Sequence, residues 1–205
     1  MPNWTYIQLE ISGKPEELKK LIKETITVTK EDKVVNHIIN NDAIMPYPEH
    51  FKEMDRIAKE KEEEYNKKIF IDDEEKSKEA MLLPKDGFNS GGYEWCSQNW
   101  GSKWGFCNTQ MLDMNTEKGS ITISTQSPWS APVGLMEAWS KKYPDLEFVY
   151  DMEEESNAFV GEMIFKNGEC ISDGIHEPTL EEIQERNGYS EEEMVEYYGV
   201  NWREQ

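Results

Sequence analysis

Trp4-Thr5-Tyr6-Ile7-Gln8-Leu9-Glu10-Ile11 alternates with a period of two. Ile7, Leu9 and Ile11 fall on one side, with Tyr6, Gln8 and Glu10 on the other. Such a stretch is a strand with one buried and one wet face. Ser12-Gly13 breaks it. Pro15 then suits the first turn of a helix, and Leu18, Leu21, Ile22 and Ile26 recur at helical spacing, so 15–26 is expected to be an amphipathic helix. A half-wet strand followed by a helix that can cover its dry face is the opening of a two-layer α+β domain.

The same units return further along. Residues 103–110 read as a strand, Asn115 to Gly119 as a hairpin loop, and Ile121 and Ile123 mark the returning strand. Ser127-Pro128-Trp129-Ser130-Ala131-Pro132 leads into a helix at 132–143, with Leu135, Met136 and Trp139 on one face, and Tyr143-Pro144-Asp145 stops it. Two strands follow, one carrying Leu146, Phe148 and Tyr150, the other Phe159, Met163 and Phe165. Asp151, Glu153, Glu154 and Glu155 cluster at the turn between them, either as oxygens for a divalent ion or, the commoner case for such a run, as a solvated group of like charges. Asn167-Gly168 starts a tight turn towards a short strand at 169–172. The order strand, helix, paired strands, helix, paired strands predicts a ferredoxin-like antiparallel sheet with its helices on one face.

Between these two halves lies a stretch of different character. Residues 34–49 read as extended, ending in Met45-Pro46-Tyr47-Pro48, where two prolines exclude a helix. Residues 50–66 are charged and helix-prone, with a thin apolar stripe of Phe51, Met54, Ile57 and Tyr65. An acidic knot at Asp72 to Glu75 and the breakers Pro84 and Gly87 follow, then a short helix from Tyr93 to Trp100, ended by Gly101. The expected organisation is a ferredoxin-like domain over 1–175 with a charged helical insertion at about 50–92, and an acidic helical appendage at 176–205. In the appendage, Thr179-Leu180-Glu181-Glu182 and Ser190-Glu191-Glu192-Glu193 both fit the capping-box pattern.

The 205 residues carry a formal net charge of −20. The acid is concentrated at one end: residues 145–205 hold 18 Asp and Glu against 3 Lys and Arg. That surface repels phosphate backbones, so no direct nucleic-acid binding is expected there, whereas a basic host protein would be attracted. Cys96, Cys107 and Cys170 form neither a disulfide framework nor a metal clip. Their free state suits a reducing, cytoplasmic setting. No apolar run is long enough to span a bilayer, and the N-terminal strand lacks the basic flank of a signal peptide. His37, His50 and His176 show no metal-ligand spacing. No metal, no cofactor and no catalytic residue are expected. Nucleophile elbows, phosphate-cradling glycine loops and dinucleotide fingerprints have no counterpart in the sequence.

Two places draw attention as surfaces for recognition. Asn99-Trp100-Gly101-Ser102-Lys103-Trp104 puts two indoles on either side of a glycine at the end of a helix. Trp100 and Trp104 either anchor the helix to the sheet or frame an aromatic slot, with Asn99 and Lys103 as polar contacts and Trp129 as a third wall. The second place is the acidic tail, where Glu181 and Glu185, and Glu192 and Glu196, stand one helical turn apart. Like charges at that spacing cost helix stability, so the tail is either a solubilising face, a docking surface for a basic protein, or a mimic of phosphate spacing.

The NWGSKW element follows Tyr93-x-Trp95-Cys96, with Ile44-Met45-Pro46-x-Pro48 upstream and Thr125 to Pro132, Tyr143-Pro144-Asp145-Leu146, Glu154 and the Gly161 strand downstream. This order resembles the YubB-like, ferredoxin-like family of phage and plasmid proteins over most of residues 4–170. The resemblance implies a fold and a mobile-element setting in the bacterial cytosol. It implies no catalytic residue. The expectation that follows is a phage or mobile-element accessory protein that acts by binding, plausible in counter-defence or host takeover. Its partner would be a small nucleotide-like ligand or a basic host protein, and a homodimer through the sheet would be possible. The rival expectations are a nucleotide-acting hydrolase and a nucleic-acid mimic that inhibits a DNA-binding host protein.

Overall fold

The alternation at 4–11 forms β1 (Trp4–Ser12), in which Thr5, Ile7, Leu9 and Ile11 are buried and Tyr6, Gln8 and Glu10 are exposed. A computed structural model of the protein describes residues 2–31, 34–67 and 83–199. Pro15 opens α1 (Pro15–Thr25), which buries Leu18 and Leu21. The chain then makes a hairpin of β2 (Ile26–Glu31) and β3 (Val34–Ile39), the short helix α2 (Asn41–Ile44), the long helix α3 (Glu49–Asn66), a 3-10 turn at Phe88–Ser90, and α4 (Gly92–Asn99). β4 (Cys107–Asn115), β5 (Ser120–Pro128), α5 (Val133–Lys142) and β6 (Glu147–Glu154) follow. β7 (Val160–Lys166), β8 (Glu169–Asp173), α6 (Leu180–Asn187) and α7 (Glu191–Tyr198) complete the described chain.

Six strands form one antiparallel sheet in the order β4-β5-β1-β6-β7-β8. β1 lies between β5 and β6, so its two neighbours come from the second half of the chain. Strands β1, β4, β5 and β6 with helices α1 and α5 have the ferredoxin-like arrangement. β7 and β8 widen the sheet beyond β6. The buried face carries Ile121, Ile123, Phe148, Tyr150 and Phe165 beside the β1 residues, and Leu135, Met136 and Trp139 of α5 complete that core. The two helices are tied together: Trp139 Nε1 donates to Thr25 Oγ1 at 3.1 Å, and the Tyr143 hydroxyl donates to Glu24 at 2.8 Å. Burying the large aromatics on one face is the main driving force for this packing.

Several local features differ from the sequence expectations. Ile26, expected to end the first helix, instead opens the strand Ile26–Glu31, because Thr27, Val28 and Thr29 form a β-branched run that favours extended backbone. Residues 41–44 are helical within the stretch expected to be extended, capped by the Asn40 side chain, which accepts from the Ala43 amide at 3.1 Å. β4 starts at Cys107, four residues later than expected. The acidic cluster at the β6–β7 turn is partnered rather than freely solvated. Glu154 is buried and accepts from the amides of Ser156 and Ala158, Glu155 accepts from the Trp4 amide, and Glu153 pairs with Arg186. Both expected capping boxes are present, at Thr179/Glu182 and Ser190/Glu193. The acidic knot at Asp72 to Glu75 lies outside the described residues.

Candidate functional site

α4 ends at Asn99, and the backbone turns at Gly101 with φ +84. A Cβ there would meet the Val133 amide at 2.8 Å, so glycine permits both the left-handed turn and the close approach to α5. The turn sends the two indoles to different places. Trp100 is 9% exposed, its Nε1 donates to the Met45 carbonyl at 3.0 Å, and its ring packs against Tyr47 and Trp95. Trp104 is 40% exposed, with its ring 6.2 Å from that of Trp4.

Trp129, on the loop after β5, is 50% exposed and has φ +66. A bulky residue in the left-handed region is strained, and such strain persists only where surrounding contacts hold it. Those contacts are present. The Trp129 amide donates to the Asn3 carbonyl at 2.8 Å. Ser127 Oγ donates to Ser102 Oγ at 2.7 Å with both residues buried, and Ser130 Oγ donates to the Gly101 carbonyl at 2.8 Å. The loops 101–105 and 127–130 are thereby pinned to one another.

Lys103 sits between the two exposed indoles. Its Nζ lies 3.8 Å from the Trp104 ring centroid and 4.0 Å from that of Trp129. Both contacts are within cation–π range. Lys103 takes part in none of the ion pairs among the described residues, although the chain has 42 acidic side chains.

Lys103, Trp104 and Trp100 also line a cavity of about 260 Å³, together with Asn41, Tyr47, Asp55, Phe88 and Cys96. Asn41 is a scaffold residue: its side chain donates to the Trp104 and Phe106 carbonyls and accepts from the Phe106 amide, which fixes the segment that carries Trp104. Asp55 Oδ1 accepts from the Gly87 and Phe88 amides at 2.8 and 3.1 Å, which holds Phe88 at the cavity. Burial, and then the nearby Asp55 charge, push the Tyr47 phenol up to about 12 and the Cys96 thiol up to about 11. Burial also raises Cys107. These thiols stay protonated near neutrality and are poor nucleophiles. No group of three or more His, Cys, Asp or Glu side chains among the described residues could hold a metal ion.

The structure thus brings Lys103, Trp104 and Trp129 together and places Trp100 as a buried wall. Asn99 stands apart. Its side chain donates to the Trp95 carbonyl at 2.9 Å, and it lines a separate groove of about 600 Å³ between α4 and α5. Asp55, Phe88 and Tyr47 belong to the site but come from the stretch between α1 and β4. Tyr47, fixed between Pro46 and Pro48, is the one of these that the sequence sets apart, whereas Asp55 sits on a helix where charged residues are common. Glu181, Glu185, Glu192 and Glu196 are all exposed. Their neighbours Glu182 and Glu193 are taken up in the capping boxes. No helix among the described residues is long and apolar enough to cross a membrane.

Sheet order and helix placement define a ferredoxin-like α+β protein with an aromatic–cationic cluster where β4 begins and β5 ends, at the end of that strand pair away from its connecting turn. Residues 106–201, from the start of β4 through α7, match the family model of the ferredoxin-like domain in Api92-like protein. No curated protein matches the chain. Among solved structures, that of the protein api92 from Yersinia pseudotuberculosis aligns with a TM-score of 0.44 and 11% identity, over 87% of this chain and 98% of that one.

Proposed function

We propose that the protein acts by binding, and that the Trp104–Lys103–Trp129 cluster captures a small nucleotide-like molecule, that is, an aromatic plane carrying an anionic group. One observation carries this reading: an ammonium held at 3.8 and 4.0 Å from two half-exposed indoles, with no carboxylate partner among the described residues of a strongly acidic chain. A lone cation in such a chain is electrostatically suited to an anion, and the indoles offer faces on which a base can stack. The strained Trp129 backbone supports the same reading, since a pre-organised wall lowers the cost of ordering the site on binding. In the mobile-element setting that the family resemblance implies, sequestering such a molecule in the host cytosol would serve counter-defence or host takeover.

Titration with a panel of mononucleotides, followed by quenching of tryptophan fluorescence and by calorimetry, tests this. Binding is expected for the wild type. It should weaken at least about tenfold in Lys103→Ala and in Trp104→Ala, consistent with loss of a charge-assisted contact or a stacked base. Unchanged affinity in both variants would refute the assignment. Multiple turnover of any nucleotide in the same mixtures would replace binding by hydrolysis.

The acidic tail supports a second reading. Glu181, Glu185, Glu192 and Glu196 are exposed on two well-capped helices, which suits a docking surface for a basic host protein.

A further inference from the structure

The cavity beneath Trp104 carries one cation and one anion that do not pair. Lys103 comes from the loop after α4 and Asp55 from α3, and both line the same space of about 260 Å³. Neither belongs to an ion pair among the described residues. Asp55 is also only half used. Its Oδ1 accepts from two backbone amides, while Oδ2 has no hydrogen bond among the described residues. Most of the remaining lining is aromatic, from Tyr47, Phe88, Trp100 and Trp104. A cavity lined by a cation, an anion and aromatic rings suits a flat molecule that carries both an anionic group and N–H donors. Its volume lies just under the usual range of about 300–1,000 Å³ for ligand sites, so it suits one heterocycle rather than two.

We propose that this cavity takes the base of the bound nucleotide and that Asp55 selects bases bearing an exocyclic amino group. The proposal rests on the nucleotide reading above and deepens it. A carboxylate oxygen only accepts hydrogen bonds. Adenine, cytosine and guanine each present an exocyclic amino donor to such an oxygen, whereas the one edge donor of uracil, N3–H, is flanked by two carbonyl oxygens whose lone pairs repel the carboxylate. Lys103, at the rim with the two exposed indoles, would hold the phosphate. Asp55 is therefore a specificity residue, and Lys103 supplies affinity common to all bases.

Calorimetric titration with AMP, CMP, GMP and UMP, on the wild type and on Asp55→Asn and Lys103→Ala, separates these roles. Asp55→Asn keeps an oxygen for the Gly87 and Phe88 amides and replaces the other oxygen with an amide donor. The wild type should bind the three amino-bearing nucleotides at least about tenfold more tightly than UMP. Asp55→Asn should erase or invert that ranking, and Lys103→Ala should weaken all four alike. Equal wild-type affinities for the four would overturn the selection rule, and this result does not depend on how the variant folds. So would an Asp55→Asn protein of unchanged melting temperature that keeps the wild-type ranking. Base-independent binding that is lost in Lys103→Ala would overturn the role of Asp55 but leave nucleotide capture standing. Absence of binding by all four would overturn both.

Discussion

At Trp129 the backbone has been placed where a side chain of its size is least comfortable, and the indole has been left half in solvent. An exposed aromatic gains little from the core, so burial does not explain why the chain tolerates φ +66 there. Contact with Lys103 is worth about 0.5–1 kcal/mol at an exposed site, less than or similar to the strain. Trp129→Gly should therefore leave the urea unfolding free energy within about 1 kcal/mol of wild type, or raise it, while nucleotide binding falls. A loss of several kcal/mol would instead mark Trp129 as a structural residue. Trp100 is the contrast: buried, hydrogen-bonded to Met45, and expected to cost about 3–5 kcal/mol when cut to alanine. The NWGSKW element was legible as a place where aromatics matter. Which indole would face solvent was not, because that depends on the left-handed turn at Gly101 and on serine hydroxyls 25 or more residues away.

Among the elements, α6 is attached through two groups that titrate, His176 and Glu182. His176 forms a backbone bridge with Val160 of β7, and its ring spans two acceptors, the Gly174 carbonyl at 2.9 Å and the Glu182 carboxylate at 3.0 Å. Only the doubly protonated imidazolium can donate to both. The Gly174 carbonyl first, and then Glu182, raise the His176 pKa above its ordinary 6.5, against an opposing effect of Arg186. The Thr179 amide first, and then His176, depress Glu182 to about 2. The histidine contribution is thus complete below 6.5 and is lost as pH rises through the elevated folded value. The glutamate contribution is present above the ordinary 4.5 and is lost as pH falls towards 2. Hydrogen exchange, corrected for intrinsic rates, should show the α6 amides best protected between pH 4.5 and 6.5 and less protected as pH climbs through the raised His176 value. His176→Ala should flatten the alkaline part of that profile, and an unchanged profile would show that the clasp does not hold α6.

The same elements show how far patterns carry. Alternation placed β1, β5, β6 and β7 because each buries one face of the sheet, and the capping boxes marked α6 and α7 because their chemistry is local. Of the β2–β3 hairpin, β3 falls in the stretch read as extended but β2 and its pairing were missed, because the exposed Val28, Val35 and Ile38 mark no buried face, and β4 was placed too early because its bulged register and mostly exposed side chains blur the period. Asp55 had no signal in the sequence. On a helix rich in Glu and Lys, one more carboxylate looks like solvent-facing charge until tertiary packing sets it against Phe88.

Over the whole molecule, charge is segregated: the aromatic–cationic cluster is formed by the middle of the chain, and the acid gathers towards α6 and α7. If the acidic helices dock a basic protein, replacing Glu181, Glu185, Glu192 and Glu196 with lysine should abolish co-purification of that partner. The wild-type complex should weaken steeply between low and physiological salt, because exposed charges are screened within about 8–10 Å. The fold should survive, since the capping glutamates Glu182 and Glu193 are untouched. Partner capture that is indifferent to salt and to the four substitutions would leave the acid as a solubilising coat.

Native mass spectrometry of the protein from expressing cells, with and without added mononucleotides, addresses the Trp104–Lys103–Trp129 cluster most directly. The wild type should carry a discrete adduct of nucleotide mass in a ratio of one per chain, and Trp104→Ala should not. Identical spectra for the two proteins, bare in every condition, would contradict a recognition site at these indoles.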